Sequence, residues 1–229
     1  MISVICAYNN RTLLENYLLK SLRNQTAKYE LILIDNTKNR FKSSAKVFNA
    51  ATAQATGEYL MCVHQDIYLL SDTFLEKTEK VLTNLPRLGI AGVAGNSVEG
   101  FFSNIRTSAP IKVQTLDSVL AIIPRPVFDL VQFDEKTIRG WYFYITDYCL
   151  TTQLLGYDTY VIPADFHHTT SGSVSLKYFI GLPRLLLKHR QQKIICTGVA
   201  DWSLNARCLM EVLVRAPRFV LSKLKHPKR

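Results

Sequence analysis

A three-layer α/β fold, with helices on both faces of a mainly parallel sheet, is what this sequence predicts. Three observations carry the prediction. Short apolar runs suited to buried strands (residues 2–7, 31–34, 59–63 and 88–95) alternate with segments of helical periodicity, the order that builds parallel sheets. Three of those runs end on polar residues: Tyr8-Asn9-Asn10, Asp35-Asn36 and His64-Gln65-Asp66. The carboxyl ends of strands in open α/β sheets are where ligands bind. Composition agrees, with 48% hydrophobic residues and no low-complexity tract in 229 residues.

In chain order, residues 2–7 form the first strand. Thr12 and Glu15 fit a capping box, and Leu14, Tyr17, Leu18 and Leu22 then recur at helical spacing. Residues 31–34 make the second strand. Residues 44–56 read as an Ala-rich helix with Val47, Ala51 and Ala55 on one side, stopped by Gly57. The third strand, 59–63, breaks out into His64-Gln65-Asp66. Ser71-Asp72 offers an N-cap to a helix striped by Phe74, Leu75, Leu82 and Leu85 and closed by Pro86. After the fourth strand, residues 96–115 look irregular, as a functional loop would. A strand over 118–124 and a short helix over 126–131 follow. Residues 133–144 are aromatic and loop-like, and Trp141 and Tyr142 divide evenly between core and an acceptor-stacking platform. Asp147 opens a helix that runs to Leu155 and ends at Gly156. A last strand, 159–163, precedes His167 and His168.

Charge divides the chain. Residues 1–176 carry 16 Lys/Arg against 16 Asp/Glu, whereas residues 177–229 carry 12 against 2. The whole net charge of +10 therefore sits in a C-terminal extension, following a neutral domain over 1–176. Leu182, Leu185, Leu186 and Leu187 stand among Arg184, Lys188, Arg190 and Lys193, and a second such segment covers 209–224. Basic amphipathic helices suit an anionic membrane surface. Nucleic acid is the weaker fit, because the tail lacks regularly placed aromatics for base stacking. The five cysteines form no C-x-x-C pair, and Cys6 and Cys62 lie in strand runs, so buried thiols in a reducing compartment are expected. With a strand pattern at its start no ordinary signal peptide is expected, and no apolar run is long enough to span a bilayer. A cytoplasmic protein held peripherally at the inner face of a membrane is the expectation.

His64 and Asp66 offer an imidazole nitrogen and a carboxylate two residues apart, a partial shell for a divalent ion. Ser3-Val4-Ile5-Cys6-Ala7-Tyr8-Asn9 resembles the opening strand and nucleotide loop of the family 2 glycosyltransferases of the GT-A fold, which are inverting nucleotide-sugar transferases. Leu33-Ile34-Asp35-Asn36 is similar to that family's second strand, whose Asp contacts the base. Asn49 falls in a familiar place before Ala55-Thr56-Gly57-Glu58-Tyr59. His64-Gln65-Asp66 occupies the position of the D-x-D metal motif, and a branch of the family has His-Gln-Asp there. Ile145-Thr146-Asp147-Tyr148-Cys149-Leu150 corresponds to the segment of the catalytic base, and His168 with Gly172 to a downstream H-x-S-x-G region whose His completes the metal shell. The likeness covers most of residues 1–172.

The resemblance implies a nucleotide-sugar site at Ala7, Tyr8, Asn9, Asp35, Asn49, Gln65 and Asp66. It implies a metal, Mn2+ or Mg2+, on His64, Asp66 and His168, and a catalytic base at Asp147. The donor is expected to be UDP-linked and the acceptor a saccharide or lipid-linked sugar in cell-surface polysaccharide synthesis. Each role has a plain counterpart: Asp147 as a helix N-terminal residue, Asp35 as a turn former, the His pair as a strand end. Lys46 and Arg125 read as surface charges. The rival class is a non-catalytic GT-A-like binding protein tethered to membrane or nucleic acid by its tail. A sugar nucleotidylyltransferase is disfavoured, since Tyr8-Asn9-Asn10 supplies no Gly-rich basic loop.

Overall fold

The computed structural model describes residues 1–103, 108–169 and 174–205. β1 (Ile2–Tyr8) leads into α1 (Arg11–Leu14), which continues through a wider helical stretch, Glu15–Leu19, into α2 (Lys20–Leu22). β2 (Tyr29–Asp35), α3 (Ser44–Thr52) and β3 (Tyr59–Val63) follow, and β1 takes β2 and β3 as parallel neighbours. A short β4 (Ile67–Leu69), α4 (Phe74–Thr83) and β5 (Leu88–Gly92) complete the first half. β6 (Ala94–Ser97) and β7 (Gly100–Ser103) make a hairpin, β8 (Ile111–Lys112) edges the main sheet, and β9 (Thr115–Leu116) pairs with β6. Then come β10 (Leu120–Pro124), α5 (Arg125–Leu130), α6 (Tyr144–Leu154), β11 (Asp158–Val161) and β12 (Phe166–His168). α7 (Leu176–Lys188) and a hairpin of β13 (Ile195–Cys196) and β14 (Asp201–Trp202) end the described chain.

The main sheet has the order β2-β1-β3-β10-β5-β11-β8. Five of its seven strands run one way, and β10 and β8 oppose them. Strand alternation splits the core between the two faces. Ile5, Leu60 and Cys62 face α3, α5, α6 and α7, whereas Val4, Cys6, Met61 and Val63 face α1, α2 and α4. The α/β/α layering is thus written in the odd and even positions of β1 and β3.

Several local expectations change. The cap of α1 is Asn10, whose side chain accepts from the Leu13 amide (3.1 Å), and Glu15 pairs with Arg11 (2.9 Å) instead of closing a box with Thr12. Residues 96–115 are not irregular throughout: they hold β7, β8 and part of β6 and β9, strands too short to show alternation. Gly57 does more than stop a helix. A Cβ there would lie 2.5 Å from Ser3 Oγ and 2.7 Å from Ser3 N, so β1 and β3 approach closely only with glycine. Arg125 is a latch, not a surface charge: its guanidinium donates to the Gly57 carbonyl at 2.9 Å and to that of Ala55.

The first helix of the basic extension belongs to this core. Tyr178, Phe179, Leu182, Leu185 and Leu186 of α7 are buried with residues of α3, α5 and α6. Position 177 marks a change of charge, and packing runs across it. The second segment of the extension, 209–224, and Gly172 lie outside the described residues.

Candidate active site

The exits of β1, β2 and β3 meet along one edge of the sheet, and β10 starts at that same edge because it runs antiparallel. Leu120 pairs with Val63, and the His64 amide donates to the Val119 carbonyl (3.0 Å), which sets residues 117–119 beside 64–66. A cavity of about 850 Å³ opens there. Ala7, Tyr8, Asn9 and Asn36 line one side of it, and Trp141 to Thr146, Tyr178 and the 197–199 turn another.

β4 and β12 pair antiparallel with His168 opposite Ile67, and the Thr169 amide and hydroxyl both donate to the Asp66 carbonyl (3.3 and 2.9 Å). This ladder, closed by a Thr169–Asp66 bond that spans 103 residues of sequence, brings His168 to the tip of β3. Ligand atoms of His64, Asp66 and His168 lie within 4.8 Å of one another. His168 Nε2 is 3.3 Å from Asp66 Oδ2 and buried, yet makes no hydrogen bond. An imidazole nitrogen and a carboxylate oxygen at this separation can share one cation. Burial, with Asp66 opposing and His168 reinforcing it, pushes His64 down to about 4. His64 is therefore neutral near pH 7, the protonation state that ligates. His167 points elsewhere and is exposed. No Lys or Arg lines the cavity among the described residues.

The remaining sequence-predicted residues divide. Ala7, Tyr8, Asn9, Gln65 and Asp66 line the cavity, as do Trp141 and Tyr142. The Gln65 amide is engaged, however: its oxygen accepts from the Asn9 and Asn10 amides (3.0 and 2.9 Å) and its nitrogen donates to Asn9 Oδ1 (2.7 Å). Gln65 thus clamps the β1 exit to the β3 exit. Asp35 does not line the cavity; its Oδ1 accepts from the Thr37 amide and hydroxyl (2.8 and 2.7 Å), and these bonds hold its carboxyl below the usual range. Asn49 lies away from the cavity and ties α3 to the next loop, bonding both the amide and carbonyl of Phe133 and the Glu135 carboxylate. These bonds form a helix-to-loop clasp.

Asp147 is the largest departure. It lies in the first turn of α6 and is 2% exposed, but it does not line the cavity, whereas Thr146 before it does. Its carboxylate meets Lys188 Nζ at 2.8–2.9 Å and His189 Nε2 at 2.7 Å, at the end of α7. Lys188 also holds Asp134 (2.8 Å). Sequence reasoning missed Asp117, which lines the cavity just ahead of β10. Burial raises its carboxyl above the usual range, with the Asn96 side chain partly offsetting this.

Residues 3–102 match the model of a family described as a glycosyltransferase-like family. A curated protein of Fuscovulum blasticum, "ATP synthase subunits region ORF 6", is 24% identical over 160 residues, 62% of this chain and 63% of that one. This chain thus spans less than two thirds of that relative. Among solved structures, the mannosyltransferase PcManGT from Pyrobaculum calidifontis, in complex with GDP-Man and Mn2+, superposes with a TM-score of 0.61 at 14% identity, covering 100% of this chain and 76% of that one. TarS of S. aureus gives 0.57 at 16% identity over 82% and 64% of the two chains. GalNAc-T7, solved with UDP, GalNAc and Mn2+, gives 0.59 at 12% identity over 76% and 44%. The chain has the GT-A fold of these glycosyltransferases.

Proposed function

We propose that this protein is a metal-assisted glycosyltransferase that moves a sugar, with inversion, from a nucleotide-sugar donor to a saccharide or lipid-linked acceptor in cell-surface polysaccharide synthesis. One observation carries the reading: the His64–Asp66–His168 group opens on a cavity that no Lys or Arg lines among the described residues. A diphosphate leaving group is anionic, and without basic side chains its charge falls to a cation. The mixed imidazole–carboxylate donors suit Mn2+, with Mg2+ second. When bound there, such an ion stabilises the charge that develops on the departing diphosphate.

The chain's own residues do the rest. Gln65 fixes the Ala7–Asn9 loop, so the nucleoside meets a preset wall and less ordering is needed on binding. Neutral His64 can offer a ring nitrogen as a ligand beside Asp66 and His168. Trp141 and Tyr142 give flat faces for a sugar ring, and Tyr142 is held by its bond to Ser175 (3.0 Å). UDP-linked donors are the first class to try, and a GDP-linked donor is carried by the PcManGT complex. The test is calorimetry and thermal shift with UDP- and GDP-sugars, with and without Mn2+, followed by donor hydrolysis. A binding hit appears as raised stability, since the ligand favours the folded state. Absence of heat at millimolar ligand with Mn2+ would sink the proposal.

A non-catalytic binding protein of this fold is the second reading, favoured by the closure of Asp147 behind Lys188 and His189. Donor turnover by the wild-type protein excludes it. We also propose peripheral attachment to the cytoplasmic face of a membrane. The outer side of α7 supports this, since Leu176, Lys177, Ile180, Arg184 and Leu187 are all exposed at helical spacing.

A further inference from the structure

We infer that Asp117, and not Asp147, is the carboxylate that takes the proton of the acceptor hydroxyl. The inference rests on the transferase reading above and names a residue for its chemical step. Asp147 is ill placed for that work. Its two oxygens are engaged by an ammonium and an imidazole, and it is not part of the cavity wall. To reach a substrate hydroxyl it would have to give up its contact with Lys188 or with His189.

The described cavity wall contains two carboxylates, Asp66 and Asp117. Asp66 belongs with His64 and His168, which leaves Asp117 for the acceptor side. Its loop is firmly placed. The Asp117 amide donates to the Ala94 carbonyl (2.9 Å), and two residues later the Val119 carbonyl receives the His64 amide (3.0 Å). The loop is therefore anchored directly to the metal corner, where the diphosphate would depart. No ion pair is formed by Asp117 among the described residues, so nothing cationic competes for its lone pairs. Burial also makes the carboxylate more basic than an exposed one.

The turn between β13 and β14 comes close to the Asp117 carboxylate. Gly198, in the turn between β13 and β14, has its Cβ position 3.0 Å from Asp117 Oδ1, so any other residue would crowd the carboxylate. The 197–199 turn walls a second hollow of about 270 Å³, shared with Asn96, Ser97 and Phe101. Asp117 thus lines the larger hollow beside the turn that walls both, and an acceptor entering over that turn would approach its carboxylate.

The step balances as follows. The acceptor oxygen forms a bond to the anomeric carbon as the bond from that carbon to the diphosphate oxygen breaks, and the electron pair leaves with the nucleoside diphosphate. The hydroxyl proton passes to the Asp117 carboxylate and then to solvent.

The test takes the full chain with Mn2+ and a nucleotide sugar shown by calorimetry to bind the wild type, with water as acceptor. If none binds, the transferase reading falls, and this inference with it. Given binding, Asp117→Asn should keep the donor Kd within about threefold while kcat falls by about 10²–10⁴, the usual share of general-base help. Its Tm should not fall, because the amide removes a buried charge. A kcat for Asp117→Asn within about threefold of wild type overturns the inference. So does a loss of about 100-fold or more in folded Asp147→Asn. Should Asp147→Asn not fold, Lys188→Met decides: a tenfold or greater gain in kcat would reveal Asp147 as a restrained base, and no gain supports Asp117.

Discussion

Asp66 is the residue on which the metal corner turns. It is the sole carboxylate of its group, and the ligand atoms of the two imidazoles flank it within 4.8 Å. Asp66→Ala should abolish the Mn2+-dependent part of any thermal shift while keeping the β4–β12 ladder, whose bonds from Thr169 go to the Asp66 backbone carbonyl. Circular dichroism beside a Mn2+ titration separates the two effects; an undiminished shift would remove Asp66 from the ligand set. Asp134 carries a different consequence. Burial alone would raise its carboxyl, but hydrogen bonds from Lys188 and Thr137 and the charge of Lys188 hold it well below the ordinary range. An unfolded Asp titrates near about 3.9. Between that value and its lower native one, the folded state binds fewer protons, so stability is fully present above about pH 5 and is lost as pH falls. Urea unfolding across pH should therefore show wild type exceeding Asp134→Asn by a constant margin from neutrality to about pH 5. Below about pH 4 the margin should shrink, and a margin that grows there would contradict the ion pair with Lys188.

At the scale of the element, strands were legible wherever an apolar run had a sharp end, which is why 59–63 was read with its observed bounds. Strand direction has no comparable local mark. β10 reads the same whether parallel or antiparallel, yet its reversed course alone brings Asp117 to the cavity. The direction of a side chain on a helix is equally hidden. Position 147 was found in the first turn of α6 as expected, but the turn presents Thr146 to the cavity and Asp147 to α7. The partner of Asn49 is hidden for a similar reason, since its amide matches the backbone groups of Phe133, 84 residues away. α7 gives the clearest case, because a leucine stripe suits lipid and core alike. Leu182 and Leu185 are fully buried, and the exposed stripe lies on the other side of the helix. Leu182→Ala should cost about 2–5 kcal/mol in denaturant unfolding, the usual range for an emptied core site. A cost below about 1 kcal/mol would mean that α7 does not share this core. Gly57→Ala should destabilise by about 1–3 kcal/mol through overpacking against Ser3.

For the whole molecule, the decisive quantity is how unevenly charge is distributed. A body of balanced charge cannot be drawn broadside to an anionic surface, so the excess on residues 177–229 would orient the protein as well as attract it. Lys177, Arg184, Arg190 and Lys193 are exposed on or just after α7. At about 1 kcal/mol per basic residue near anionic lipid, these four give about 4 kcal/mol, a dissociation constant near the millimolar range. Charge alone on the described part is thus too weak to hold the protein stably. Burying Leu176, Ile180 and Leu187 in the headgroup boundary would add apolar transfer to it, at about 25 cal/mol per Å². The two contributions predict different responses. Full-length protein should sediment with vesicles containing phosphatidylserine and not with phosphatidylcholine alone, and about 0.5 M salt should release most of it by screening. The double variant Ile180→Glu/Leu187→Glu should lose binding even at low salt while keeping its Tm, because both side chains are exposed in the folded protein. Retention of this variant on vesicles at wild-type levels would assign attachment to residues beyond α7, and equal binding to neutral vesicles would remove the electrostatic part of the reading altogether.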